Sequence, residues 1–385
     1  MGVLLWYGAC TAIIYAIYYF SMIVYRRYKW AAVSAKKREQ LLEDFERVRK
    51  LLQDFSLPAE LESKLFRANV ADIHQMLFDE PKITCVNLVK YFTKKSINLG
   101  LELNLVVQFT YEYALEHAKQ RDEELKQYSS PKELPCLFGI PISVKDMIKL
   151  KGYDTTLGSG TMCFNPNKDD GLQIKLLLKQ GAVPFLKSNL PMLMLINETN
   201  NWIVGNGKNP WNKKRSCGGS SGGEGGLVSL GCSPLGIGTD GGGSVRIPAL
   251  YCGIYGFRPT ARRITLEGMA STNEYTPPNI FSGSGPLANN VEDCERLTKA
   301  LLDKELYEKY IPDYNFVPWK TEEADKIENK KKLKVGVYWN IKYMKPSAAN
   351  TRALKIAVDK LKAAGHEVVD LSFEKYERIV EYYIK

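Results

Sequence analysis

Three residues with reactive side chains stand in stretches that could hold them in place. Lys145 ends the apolar segment GIPISVKD (139–146), Ser220 lies in GGSSGGE (218–224), and Ser244 lies in TDGGGSVR (239–246). A lysine between apolar strand neighbours is desolvated on folding, which disfavours its charged form and brings its pKa down. The neutral amine can then act as general base for a serine, a serine–lysine form of nucleophilic catalysis that needs no histidine. The alternative is a strand-end lysine that reaches solvent. Glycine this dense in CGGSSGGEGG (217–226) destabilises helix and strand alike, so its presence requires a local use.

Other templates fit the same residues less well. GIGTDG (236–241) satisfies G-x-G-x-x-G, but more glycines and Pro248 follow where a helix should open, and the next acid is Glu267. GGSSG (218–222) satisfies the G-x-S-x-G nucleophile elbow, yet NPWNKKRSC before it is no apolar strand, although Asp370 and His366 lie downstream. The three histidines, His74, His117 and His366, are far in sequence from both serine runs and read as packing or surface residues. The eight cysteines include no CxxC pair and no metal-ligand spacing with these histidines, which suits a reduced chain with no bound metal. Cys217 reads as a small packing residue. No cofactor is expected.

Lys145 in GIPISVKD, Ser220 in GGSSGGE and Ser244 in GTDGGGSVRIPA, followed by CGIYGFRPT, together resemble the amidase signature family over about residues 60 to 375. The resemblance implies a Ser-Ser-Lys triad without metal or cofactor. Ser244 would be the acyl-forming nucleophile, Ser220 a bridging serine after a cis peptide bond, and Lys145 the base that returns a proton to the leaving amine through Ser220. The backbone N–H groups of Gly241, Gly242, Gly243 and Ser244 could then form a nest for the oxyanion. The family usually carries a larger residue where Gly241 stands. Ser221 would either bond within the triad or cap the helix opening at residue 222. Asp240 and Arg246 would hold the glycine loop. Met194, in PMLMLI, corresponds to a substrate-contacting methionine, and a core methionine explains it equally well.

These residues need a scaffold, and the 385-residue chain, 45% apolar, is long enough to build one. The pattern predicts amphipathic helices over 36–55 and 84–98, a strand at 104–109, a helix at 111–127, and then alternating strands and helices through 182–187, 222–230 and 234–238. This is an α/β fold with a mixed, mostly parallel sheet covered by helices. Residues 320–332 (KTEEADKIENKKK) read as a charged loop or linker, followed by strand LKVGVYW, a helix over 346–364 and strand HEVVDLSF. The alternation stops at Lys385 without a closing element, so an incomplete C-terminus is expected.

Val3 to Tyr25 is an uncharged run of 23 residues, long enough to cross a bilayer, and Arg26, Arg27 and Lys29 follow it. Basic residues on that flank place the rest of the chain in the cytoplasm, the alternatives being a cleaved signal and a buried or interfacial helix. Three regions are therefore expected: an anchor with its basic flank (1–28), a helical membrane-proximal segment (29–80), and a catalytic domain (81–385). The net charge of +10 sits partly in this flank, where anionic lipid is the natural partner, and nucleic-acid binding is not expected.

The anchor ahead of the catalytic motifs points to the fatty-acid amide hydrolase branch of the family. This implies cleavage of primary fatty amides and N-acylethanolamines to fatty acid and amine, on the endoplasmic reticulum or another endomembrane, by a monomer or homodimer. The alternatives are a general small-amide amidase and a catalytically silent or truncated amidase-like protein.

Overall fold

The computed structural model describes residues 2–270, 282–330, 332–340 and 345–372, with the side chains of 2–9, 67, 324 and 328 set aside. The chain divides into two compact units, Met1–Pro318 and Trp319–Lys385.

In the first unit the chain opens with one long helix, α1 (Gly2–Leu51). Leu41, Phe45, Val48 and Leu52, spaced to fall on one helical stripe, are buried in the core. Two short helices follow, α2 (Ala59–Arg67) and α3 (Val70–Asp79). Asn69 fixes the start of α3 by a reciprocal capping box with Asp72, both bonds at 2.9 Å. Helix α4 (Cys85–Lys95) is capped by Thr84. Strand β1 (Val106–Phe109) and helix α5 (Tyr111–Leu125) lead to β2 (Pro141–Lys145), α6 (Leu172–Lys179) and β3 (Val183–Ser188). The two glycine-serine stretches then give α7 (Gly222–Ser229), β4 (Leu235–Asp240) and α8 (Arg246–Cys252). The unit closes with β5 (Tyr255–Gly256), β6 (Gly283–Ala288), α9 (Val291–Ala300) and α10 (Lys304–Tyr310).

The six strands form one sheet in the order β1-β3-β2-β4-β6-β5. Every residue of β2, β3, β4 and β6 is buried, as expected for strands covered on both faces. β2 runs parallel to β3 and β4, whereas β1–β3, β4–β6 and β5–β6 are antiparallel. The sheet is therefore mixed and not mostly parallel. Only its centre is built from strand–helix–strand crossovers, and the strands outside that centre run the other way.

The second unit comprises α11 (Thr321–Glu328), β7 (Lys334–Val337), α12 (Ala348–Ala363) and β8 (Glu367–Asp370), with β7 and β8 paired in parallel. The expected charged loop at 320–332 is largely helical. Glu322 and Glu323 in its first turn and Lys326 in its last complement the helix dipole. Residues 374–385, at the expected incomplete end, lie outside the described residues.

Residues 29–80 do not form a segment apart, since Leu41 to Leu77 contribute to the same core as the sheet, and that compact unit ends at Pro318 and not at Lys385. Among the described residues no helix is long and apolar enough to cross a membrane. Residues 3–9 of the expected span lie outside those whose side chains are described, and Ile13 to Tyr28 of α1 expose many apolar and aromatic side chains.

Candidate active site

Strand β2 alternates its side chains, so Ser143 and Lys145 project from the same face of the sheet. Lys145 is 0% exposed although it ends the strand. Burial lowers its pKa to about 7, opposed by the charges of Asp240 and Glu224. Its Nζ lies 2.8 Å from Ser220 Oγ and 2.9 Å from Thr239 Oγ1. Thr239 donates its own hydroxyl proton to Met147 Sδ at 2.9 Å, so towards Lys145 it can only accept. In the neutral amine one N–H is thus taken by Thr239, and the lone pair is left for the Ser220 hydroxyl.

Ser220 is 2% exposed and follows a cis Gly219–Ser220 peptide bond. The turn that presents it is packed and not a flexible linker. A Cβ on Gly219 would sit 2.6 Å from the Glu198 carbonyl oxygen, and Thr199 Oγ1 donates to the Gly218 carbonyl at 2.8 Å. These contacts also bring the loop carrying Met194 against the serine turn. Met194 itself is half-buried, with φ 61°.

Ser221 does neither of the tasks expected of it. It occupies the N-cap position of α7 without a side-chain cap bond. Its Oγ instead accepts from the Thr239 amide and donates to the Thr239 carbonyl, both at 3.3 Å, which fastens the turn to β4. Its backbone N–H donates to the Ser244 carbonyl at 3.1 Å, and this bond joins the two glycine-serine stretches.

Ser244 is half-buried on the turn between β4 and α8. Asp240 organises that turn. Its carboxylate accepts from the amides of Gly243 (2.7 Å) and Val245 (3.1 Å) and from Arg246 Nε (3.0 Å) and Nη2 (2.9 Å). Burial works against its charge, but Arg246 and the two amides outweigh this and hold the carboxyl below its usual range. Asp240 and Arg246 therefore hold the loop as expected. The expected four-amide nest is reduced, because the Gly243 N–H points to Asp240 and cannot also face an oxyanion. Gly243 has φ 122°, which only glycine adopts readily. The amides of Gly241, Gly242 and Ser244 make no hydrogen bond among the described residues and could still receive the oxyanion.

Sequence reasoning missed the buried polar groups behind the lysine. Asp146, next to Lys145, pairs with Lys187 at 3.0 Å, both fully buried, and accepts from the Thr156 and Leu157 amides at 3.0 Å. Lys37 of α1 reaches Asp154 at 2.8 Å. Ser143 Oγ donates to Glu224 in α7. No motif flags these groups, because each is made polar-compatible only by its partner across the fold.

The downstream histidine and aspartate of the nucleophile-elbow template have partners of their own. His366 Nδ1 accepts from the Leu333 amide and Asp370 accepts from Trp339 Nε1, so both are engaged within the second unit. His74 is buried against the Phe138 carbonyl, and burial lowers its pKa to about 4. Burial raises the Cys217 thiol to about 12, which suits a packing residue. Among the described residues no cluster of His, Cys, Asp and Glu could hold a metal ion. A groove of about 730 Å³ along α1, lined by Leu41, Phe45, Leu101, Val106 and Ile203 among others, includes none of the three triad residues.

Residues 87–385 match the amidase family. An acetamidase of Emericella nidulans is 34% identical over 322 residues, which is 83% of this chain and 58% of the acetamidase. Fatty acid amide hydrolase 1 of Caenorhabditis elegans is 34% identical over 304 residues, 79% of this chain and 52% of the relative. The solved structure of a fatty acid amide hydrolase superposes with a TM-score of 0.75 at 25% identity, covering 89% of this chain and 63% of the other. The chain spans somewhat more than half the length of the curated relatives it matches.

Proposed function

Because this chain belongs to the amidase family, we propose that it hydrolyses amides through an acyl-enzyme on Ser244, and that its substrates are fatty-acid amides. Ser244 Oγ attacks the amide carbonyl carbon while its proton passes to Ser220, and the Ser220 proton passes to the neutral Lys145 amine. The tetrahedral oxyanion is received by the backbone amides of Gly241, Gly242 and Ser244. One such donor is worth roughly 2.7 to 4 kcal/mol of the barrier. On collapse the C–N bond breaks, and the proton returns from Lys145 through Ser220 to the departing nitrogen, which leaves as amine or ammonia. Water then attacks the acyl ester, its proton takes the same path to Lys145, and the fatty acid is released as Ser244 is reprotonated.

The observation that carries this reading is the fully buried Lys145 amine at 2.8 Å from Ser220 Oγ. Similarity to a fatty acid amide hydrolase and the apolar run at 3–25 support a lipid amide. That run, with Arg26, Arg27 and Lys29 after it, supports an anchor in an endomembrane with the catalytic unit in the cytoplasm. The equal identity to an acetamidase favours a second reading, a general amidase of small amides. Assaying the full chain with a primary fatty amide, an N-acylethanolamine and acetamide separates the two. Turnover of the two lipid amides is expected, turnover of acetamide alone selects the second reading, and no turnover of any amide contradicts both.

A further inference from the structure

Glu224 is a carboxyl group fully buried against β2, the strand that carries the proposed base. It lies in the first turn of α7, four residues after Ser220, and is 0% exposed. Ser143, two residues before Lys145 on β2, donates its hydroxyl to Glu224 Oε2. Helix α7 therefore presses Ser220 and Glu224 onto β2 together, one against Lys145 and the other against Ser143. The seat for the carboxyl is provided by Gly236 on β4, where a Cβ would come within 2.1 Å of Oε2. Ser143 holds Oε2, and from β3 the Ser188 hydroxyl faces the carboxyl. A carboxyl buried this completely, with only neutral hydroxyls as its partners, calls for an electrostatic reason.

We propose that Glu224 is a positioning residue for the base, a buried carboxylate that stabilises the ammonium formed when Lys145 accepts the Ser220 proton. The inference rests on the reading of Lys145 as base. Glu224 touches neither substrate nor the reacting atoms. It acts through the field at Lys145, while Ser143 fixes the carboxylate by donating to it. The two groups oppose each other's desolvation: burial lowers Lys145 to about 7 and raises Glu224 to about 7, and each group's charge counteracts the shift of the other. Asp240 raises the Lys145 pKa more than Glu224 does, but its charge is shared with arginines. Asp240 on β4 is held by Arg246 of α8, with Arg258 at 3.8 Å, and Asp146 is held by Lys187 of β3. From β3, Ser188 offers Glu224 a neutral hydroxyl.

The test is a titration of Lys145 by NMR in the full chain labelled with 13Cε-lysine, its resonance assigned by its loss in Lys145→Ala. In Glu224→Gln, which keeps the shape and the acceptor for Ser143, the Lys145 midpoint should fall by about one pH unit, as expected when a nearby opposite charge is removed. The acid limb of the amidase pH profile should move with it. A purely structural role would lower stability and leave the midpoint in place, and an unmoved midpoint in folded Glu224→Gln overturns the proposal. If that variant does not fold, Ser143→Ala replaces it. Loss of the hydroxyl donor neutralises Glu224 at higher pH, so the Lys145 midpoint must fall again, and an unmoved midpoint there overturns the proposal equally. Absence of amidase activity in the wild type would sink the functional reading, while the NMR midpoint would still decide whether the two groups are coupled.

Discussion

Lys145 is poised near neutrality by its burial, and this fixes how the rate should depend on pH. Only the deprotonated amine can take the Ser220 proton, so kcat/KM should fall as pH drops through about 7 and level off above it. Lys145→Ala should lower kcat/KM by roughly 10² to 10⁴ at pH values where the wild type is on its plateau, measured by steady-state kinetics. The residues of the proposed triad stand out in the sequence because an apolar strand ending in lysine and two glycine-framed serines are local patterns. Glu224 was not, since a glutamate in a glycine run reads as a solvated charge until Gly236 and Ser143 enclose it from other strands. The Gly243 amide was misassigned for a related reason. Nothing in TDGGGSVR shows that Asp240 folds back onto the loop that follows it.

The turn from β4 to α8 is the element on which the proposed nucleophile depends, and one carboxylate holds it. Asp240→Ala removes the acceptor of two backbone amides and of the Arg246 guanidinium bonds described above. A buried donor left without its acceptor costs about 1 to 3 kcal/mol, and chemical denaturation should show a loss of this order for the loop amides. The Arg246 side chain is 55% exposed, so Arg246→Ala should cost about 1 kcal/mol or less. Equal losses in the two variants would contradict the view that Asp240 acts mainly through the loop amides. At this scale most helices and the central strands followed from periodicity: α4, α5, α7 and α12 fall close to their expected bounds, whereas α1 begins at Gly2, far ahead of the helix expected over 36–55. Strand direction did not follow. The antiparallel pairing of β1, β5 and β6 depends on where the intervening chain returns, and β5 is a two-residue strand too short to leave a pattern.

The two units differ in how much they bury. In Trp319–Lys385 only Val337 and Val358 are buried hydrophobic residues among those described, whereas the first unit encloses a continuous core. Amide hydrogen exchange should therefore be markedly faster over 332–340 and 345–370 than in β2, β3 and β4. Comparable protection in both would contradict this. Deletion of residues 1–28 should move the protein from the membrane to the soluble fraction if the N-terminal run is an anchor, and retention in the membrane fraction would contradict that reading. The packing of residues 41–77 into the main core was invisible from composition, because a basic amphipathic helix looks alike whether its apolar stripe meets lipid or protein.

The central claim is that Ser244, relayed through Ser220 to Lys145, is the nucleophile. It is tested most directly by treating the full chain with a fluorophosphonate probe and locating the adduct by peptide mass spectrometry. The account predicts a single adduct on Ser244, absent in Ser244→Ala and formed much more slowly in Lys145→Ala. An adduct on Ser220 or Ser221, or labelling that persists in Ser244→Ala, would contradict it.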